Sequence, residues 1–443
     1  MPRLGWYFKT IHHAIPLFLS SRVPAGGVTS GEAVAGCSRD LIQTLVALTA
    51  KLSGFVLSSV NESELDTHID RMLSTTSLQE DIAGDTPTLD QFRKSCLLVF
   101  YEYHQCPGQQ AWMRVGKLVR WAYWTGLNQI EMLHQVSPEW KGLTEDSLEE
   151  WRLVWWCIYC LDSYANISTG MPYEIDERLI NTALPLGPSP NWNRRVFLPY
   201  RQDGLLDLVQ NALSEPPPQT AAWEIQIVSI TILRHVGRAT RLHACGTLEE
   251  YIDLLVTAER RLSTLRLALP GNFFNPRRNA FTNESPSDHH FRLVTVHHML
   301  MAQLLVVLGY CGRLPEGEDW LQNWQQILEI CQEVAATAKQ WNSSFCLSVD
   351  PALCIIAFIS LVFLDLHLKF ADSGGGTASA GLRANIEHCK TVLLLFIEQF
   401  AKSWTQPRLL IRKPALLCSP LSCITVLRSA RVGKFPSGVL VRR

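Results

Sequence analysis

The sequence predicts an all-α protein, a large multi-helix bundle or helical stack. Apolar residues recur at helical spacing along most of the chain, and clean two-residue alternation is almost absent. Clusters of Gly and Pro separate the periodic stretches. In chain order the periodicity places helices at 38–57, which holds RDLIQTLVALTAKLS, then at 65–73, 90–104 and 110–125. The tryptophan-rich run SLEEWRLVWWCIYCLDSYANIS predicts the next at 147–168. Further helices follow at 221–242, 248–267, 290–310, 319–345, 351–370 and 381–404. Breaks fall at 84–87, at PLGPSPNW from Pro185, at EPPPQ from Glu215, at 270–288 and at the linker ADSGGGTASAG from Ala371.

The helix at 147–168 is the most informative. Apolar or aromatic residues at Trp151, Val154, Trp155, Trp156, Ile158, Tyr159, Leu161 and Ala165 leave it no purely polar face, so it is expected to be buried nearly all round. Asp162 inside it therefore requires a partner.

Composition narrows the class. The chain has 443 residues, 47% hydrophobic and 18% charged, with a formal net charge of -1, which places it among globular proteins and gives no global field toward DNA or a membrane. Its 13 cysteines are odd in number and mostly sit in apolar runs, as expected of reduced intracellular thiols rather than a disulfide framework. The start of the chain lacks a convincing signal-peptide core. The Asn-x-Ser matches at Asn61, Asn166, Asn283 and Asn342 then carry no glycosylation meaning. Two apolar runs, 293–310 and 351–370, are interrupted by His297 with His298 and by Asp365 with His367, so both are expected to be core helices and no membrane contact is expected.

Searching for chemistry removes the common enzyme sites. There is no G-x-S-x-G elbow, no phosphate-binding glycine loop and no strand before a glycine-rich turn. Cys157 and Cys160 form a C-x-x-C without a second pair, which favours core thiols over a zinc or redox site. His289, His290, His297 and His298 lack a companion carboxylate pattern and read as a capped, partly buried helix start. No catalytic, cofactor-binding or metal-ligating residue is assigned, and the chain is not expected to be an enzyme.

Two segments together do carry a signature. Ala111, Trp112, Gly116, Arg120, Ala122, Gly126 and Leu127 fit A-W-x-x-x-G-x-x-x-R-x-A-x-x-x-G-L. Arg152, Trp155, Trp156, Tyr159 and Asp162 fit R-x-x-W-W-x-x-Y-x-x-D, followed after a spacer by Gly170, Pro172, Ile175 and Asp176. In both, the chain resembles the regulatory middle homology region of fungal zinc-cluster transcription factors, the fungal-specific transcription factor domain. It departs from that pattern at Asn128, where the family often has His, and at Met171, where it has the arginine of G-R-P. The likeness covers roughly the first two hundred residues, including LLVFYEYHQCPGQQAW and the opening WYFKTIHHAIPLF.

Physical roles for these residues follow from helix geometry. Gly116 is expected to permit close helix approach and Gly126 to stop its helix. Arg120 stands two turns after Trp112 and is expected to pair with Asp162, tying the two motif helices together. Trp121, Trp124, Trp155 and Trp156 are candidates to line an apolar effector pocket, although core packing is the commoner use. The eleven motif residues Trp112, Gly116, Arg120, Gly126, Arg152, Trp155, Trp156, Tyr159, Asp162, Gly170 and Pro172 are taken as structural and regulatory.

The resemblance implies a nuclear regulator of transcription with a helical regulatory domain over 1–404, its motif core at 91–185. Control of a secondary-metabolite gene cluster is the associated expectation. The family's six-cysteine zinc cluster does not occur in this sequence. The alternatives are a natural regulator without its own reader and a sequence from which an upstream exon has been left out. No cofactor is expected in the chain, and zinc would enter only with an upstream cluster. Expected partners are proteins, a second copy of the chain, DNA indirectly or through the missing module, and a small-molecule effector. Residues 405–443 form a basic, proline-containing tail without an acidic residue, unlike the bundle, read either as a nucleic-acid or nuclear-address segment or as a non-native extension. The reading from a different class is an all-α enzyme or small-molecule binding protein without a transcriptional role.

Overall fold

The computed structural model describes residues 2–19, 36–54, 61–75, 87–185, 195–198, 204–205, 208–209, 218–245, 248–278, 284–311, 318–373 and 380–412. Among them are helices and no strand. Most of the breaks expected at 84–87, 185–192, 215–219 and 371–381, and all of 413–443 in the expected tail, lie outside the described residues.

Sixteen α-helices are seen among the described residues. The motif half holds α1 (Pro2–Lys9), α2 (Ile11–Ala14), α3 (Arg39–Ser53), α4 (Glu62–Thr75), α5 (Leu89–Gln105), α6 (Gln109–Thr125), α7 (Ile130–Val136), α8 (Pro138–Lys141) and α9 (Glu145–Thr169). The remainder holds α10 (Pro218–Cys245), α11 (Leu248–Ala268), α12 (Pro286–Cys311), α13 (Glu318–Ala338), α14 (Leu353–Ser373), α15 (Ala380–Ala401) and α16 (Thr405–Arg412). Helices α1, α2, α7 and α8 span only one or two turns, too short for a periodic pattern to announce them. The long expectation at 319–345 divides: α13 stops at Ala338, and a 3₁₀ turn at Ser343–Phe345 begins where Asn342 Oδ1 accepts from Ser344 N at 3.0 Å.

Local chemistry sets the helix ends. Ser38 accepts from Leu41 N, Thr88 and Gln91 form a reciprocal capping box, and Thr144 accepts from Ser147 N, each meeting an amide that a helix start leaves open. Ser285 and Asp288 cap α12 in the same way, the serine hydroxyl accepting from Asp288 N at 3.1 Å. Gly126 and Gly170 close α6 and α9 in the left-handed region, with φ of 79° and 72°.

One continuous apolar core runs through both halves. Helix α5 packs on α3, α6 and α9, α9 packs on α10, and α10 on α11 and α12, while α13, α14 and α15 extend the stack. Helix α16 returns to α5: Gln406 Oε1 lies 2.7 Å from His104 Nδ1, and Gln105 Nε2 donates to Ser403 O at 2.7 Å. Gln406, Pro407 and Leu410 are buried there. The helical body thus runs to Arg412 rather than ending at Trp404, because the first eight residues of the expected tail form a packed helix.

Two helices, Pro286–Cys311 and the Leu353–Phe370 part of α14, are long and apolar enough to cross a membrane by length and composition. Their apolar windows are 89% and 67% buried inside the body, so the apolar surface is spent on packing. The α12 histidines are buried as well, with His297 Nδ1 2.7 Å from Leu293 O and His298 between Tyr164 Oη and Ser229 Oγ, each at 2.9 Å. Burial holds both imidazoles below their ordinary pKa, at about 4 for His297 and about 3 for His298.

Candidate functional site

Helix α9 is the axis of the site. No residue from Ser147 to Ile167 is exposed, as the all-round apolar pattern requires. Buried charges interrupt the apolar stretch at Glu149, Glu150, Arg152 and Asp162, and the structure completes a separate network around each of the two motif charges, Arg152 and Asp162.

Asp162 is 0% exposed and pairs with Arg234 of α10, whose Nη1 lies 2.8 Å from its Oδ2. Its Oδ1 accepts from Asn166 Nδ2 at 2.6 Å and from Glu174 N at 3.1 Å, and Oδ2 also accepts from Ile175 N at 3.2 Å. A buried carboxylate is tolerable only when its lone pairs are filled in this way.

Arg234 is equally enclosed. Nε donates to Glu177 Oε1 at 2.9 Å, Nη1 also to Ser163 Oγ at 2.9 Å, and Nη2 to Ile175 O at 2.8 Å. Its guanidinium lies between the rings of Tyr159 and Tyr173, at 4.6 and 4.1 Å from their centroids. Burial opposes its charge, yet Tyr159, Asp162 and Glu177 hold it ionised and above its ordinary pKa. Burial likewise pushes Glu177 up, but His235, Arg234 and Arg238 hold it well below the usual carboxylate range.

The segment after α9 is a strap clamped on α10. The hydroxyl end of Tyr173 meets Gly237, where a β-carbon would stand 2.6 Å from it, and Arg241 stacks on the same ring at 4.3 Å. Arg241 Nη2 also donates to Asn166 O at 2.7 Å, at the carbonyl end of α9 where positive charge is favoured. Glu177 takes a further contact from His235 Nε2 at 2.7 Å and one from Arg238 Nη1 at 3.1 Å.

The second network surrounds Arg152. Its Nε and Nη2 grip both oxygens of Glu131 at 2.8 and 2.9 Å, and Nη1 reaches Glu145 at 2.7 Å and Glu149 at 3.0 Å. Glu131 is also 3.0 Å from Arg195 and accepts from Ala183 N at 3.2 Å. Desolvation works against its ionisation, but the Arg152 hydrogen bonds and charge hold its pKa below the ordinary value.

The expected pairing of Arg120 with Asp162 is corrected here. Arg120 is 56% exposed at its side chain and stands 3.7 Å from Glu174 at the surface. Eight residues advance a helix by about 2.2 turns, roughly 80° past the starting side, so Trp112 and Arg120 do not share a face. The tie between the motif helices exists but runs through Trp112, whose Nε1 donates to Asn166 Oδ1 at 2.9 Å, and through Asn166 to Asp162. Tyr123 adds a second link by accepting from Asp176 N at 2.9 Å.

The two motif glycines differ as well. A β-carbon on Gly116 would meet only ordinary contacts, the nearest being Arg120 Nη1 and Glu174 Oε1 at 3.5 Å, so no helix backbone approaches there. Gly126 has a positive φ and stands where a β-carbon would come within 2.7 Å of Leu133 Cδ1. Gly170 accompanies it as a helix stop, and Pro172 is exposed in the strap.

The four tryptophans considered for a pocket do not meet in one. Trp155 and Trp156 are core residues, the latter donating to Ala183 O at 2.7 Å. Trp121 lies edge-on to Phe92, and Trp124 is 84% exposed. Cys157 is buried and Cys160 half-buried, and burial pushes both thiols up, away from reactivity.

Residues 4–201 match the family described as the fungal specific transcription factor domain. They form such a domain. Its two motif segments are the ones brought together around Asp162. Among curated proteins, the chain is similar to the transcription factor tazR of Aspergillus terreus (strain NIH 2624 / FGSC A1156), 23% identical over 181 residues, 40% of this chain and 27% of that protein. It is 29% identical to the pigment biosynthesis transcriptional activator pigB of Monascus ruber over 118 residues, 26% of this chain and 21% of that one. The ascochitine biosynthesis cluster transcriptional regulator of Didymella fabae is 26% identical over 184 residues, 40% of this chain and 30% of its own length. The chain thus aligns with less than a third of each of these relatives. No solved structure matches it.

The fungal specific transcription factor domain does not close its own charge network. Arg234, Arg238 and Arg241 lie beyond residue 201, on α10, and so escaped a reading centred on the two motifs. The signal for them was present: R-H-x-G-R-x-x-R from Arg234 puts three arginines at i, i+4 and i+7 on one helix face beside a glycine. Glu131, Asn166, Tyr173 and Glu177 were missed for a different reason, being polar residues whose value depends on what they face.

Proposed function

We propose that this chain regulates transcription in the nucleus, with a secondary-metabolite gene set as its target, and that it works through protein contacts rather than catalysis. The observation that carries this reading is the match of residues 4–201 to the fungal specific transcription factor domain. The names of the relatives support the target class: one is a pigment biosynthesis activator and another an ascochitine cluster regulator.

The chemistry of the site favours a scaffold. Asp162, Glu177 and Arg234 spend their hydrogen-bonding capacity on one another, on neighbouring side chains and on backbone groups, so none of the three is left as a free acid or base. Such a network fixes the placement of α6, α9, α10 and the strap, and a partner that displaces the strap would have to break it. Partners are other proteins, including a second copy of the chain, and a small-molecule effector. DNA is reached indirectly or through a zinc-cluster module, the one place where a metal would enter. No membrane takes part.

Tethering the chain to a foreign DNA-binding domain upstream of a reporter tests the proposal. Reporter output is expected to change relative to the DNA-binding domain alone, and Asp162→Ala is expected to abolish the change. Unaltered output from well-expressed, folded fusion protein would overturn it.

A further inference from the structure

A cavity lies where residues 13–16 meet α5, α9, α10, α12 and the 348–350 loop. Its apolar walls are Phe100, Leu161, Trp223, Ile230, Phe291 and Val294. It offers about 30 Å³ of room for solvent within a total of about 490 Å³ that includes open solvent. The inner space is enough for about two waters, too little for an aromatic ring or a whole alkyl chain but enough for a compact head group, with the rest of a ligand lying in the open mouth.

One charged residue lines this cavity. The Asp350 side chain is only 10% exposed. Its Oδ1 accepts from Ala352 N at 2.8 Å and lies 3.2 Å from His104 Nε2. Its Oδ2 has no partner among the described residues, and it is not one of the sealed buried atoms. Oδ2 therefore keeps lone pairs that water or a ligand donor can fill. The other polar groups nearby are largely engaged: Tyr164 Oη with His298, and Gln226 Nε2 with Phe291 O. Water would satisfy Oδ2 but leave the aromatic and aliphatic walls wet.

We propose that this cavity is a binding site for a small organic ammonium ion, its nitrogen donating to Asp350 Oδ2 and its first methylenes lying against the apolar walls. The charge would stand within reach of Cys160 and Tyr164, whose pKa values burial and then the Asp350 carboxylate raise, a sign that its field crosses the cavity. Because the walls come from both halves of the molecule, an occupant couples residues 13–16 to α9, α10 and α12.

Three probes with one body and different heads test this on the purified chain: hexylammonium, 1-hexanol and hexanoate, each at matched ionic strength. Thermal melts and titration calorimetry are expected to show saturable binding of hexylammonium, at least tenfold weaker binding of hexanol and none of hexanoate. Asp350→Asn, which keeps an acceptor for Ala352 N, is expected to reduce the ammonium to the affinity of the alcohol. Ile230→Phe, which fills the apolar space while leaving the carboxylate, is expected to abolish binding of both. Equal effects from all three heads on the parent chain, or no binding by any, would overturn the site whether or not Asp350→Asn folds. The readout is independent of reporter output, so this site and the transcriptional role fail separately.

Discussion

Helices α6 and α9 each carry a motif arginine, several tryptophans and a closing glycine, and the fold treats the two motif arginines differently. In α9 the two motif charges are buried and saturated: Arg152 by three glutamates, Asp162 by Arg234, Asn166 and two backbone amides. In α6 the motif arginine lies at the surface, and the helix is held to α9 by a tryptophan N–H instead. Membership in a motif therefore says little about energetic weight. What decides it is whether a neighbouring element supplies partners before the side chain reaches water.

The sharpest way to break the contrast is Asp162→Ala. It leaves Arg234 buried with Glu177 as its one remaining carboxylate partner among the described residues, and removal of one member of a buried pair typically costs about 3–5 kcal/mol. Urea unfolding should show a loss of that size. Adding Arg234→Met should recover part of it, since the stranded charge goes too, and a double variant that is simply additive would argue against direct coupling. Next in size is Gly126→Ala. A left-handed alanine costs roughly 1–2 kcal/mol, and the Leu133 methyl at 2.7 Å from the new β-carbon must also move. A loss of about 2 kcal/mol is expected in the same measurement.

The middle of the range separates Trp112 from its neighbours. Trp112→Phe keeps an aromatic ring but deletes the Nε1 bond to the buried Asn166 Oδ1, for an expected loss of about 1 kcal/mol. If α6 were held by ring packing alone, this variant would melt with the parent. Gly116→Ala should go the other way, stabilising by about 0.5–1 kcal/mol, because a helix-interior glycine is replaced where a β-carbon meets only ordinary contacts. A clear loss of stability in a thermal melt would restore a close-packing role to Gly116.

How much was legible beforehand follows the same line. Long helices, the all-round burial of α9 and the stops at Gly126 and Gly170 are set by neighbours within a few residues, so periodicity and glycine placement revealed them. That Asp162 needed a partner was legible from its surroundings. Which residue it was could not be read locally, since Arg234 lies 72 positions on and outside both motifs. Arg120 was the nearer arginine by motif and the wrong one by angle. The glutamates around Arg152 divide in the same way: Glu145 and Glu149 share its helix, and Glu131 comes from α7, a helix too short to be foreseen.

Arg120→Ala is the smallest effect and the most pointed. Its guanidinium is 56% exposed, its contact with Glu174 is 3.7 Å, and that carboxylate is itself 34% exposed. Exposed pairs of this kind are worth about 0–1 kcal/mol and are screened by salt. The substitution should shift unfolding free energy by less than about 0.5 kcal/mol, with the difference vanishing in molar salt, whereas Asp162→Ala should lose as much in high salt as in low. A loss from Arg120→Ala that approached that of Asp162→Ala would mean the arginine swings inward in solution and competes with Arg234. Unequal effects would assign the tie between the motif helices to Trp112 and Asn166. Arg120 would then be a surface group, free to meet a partner.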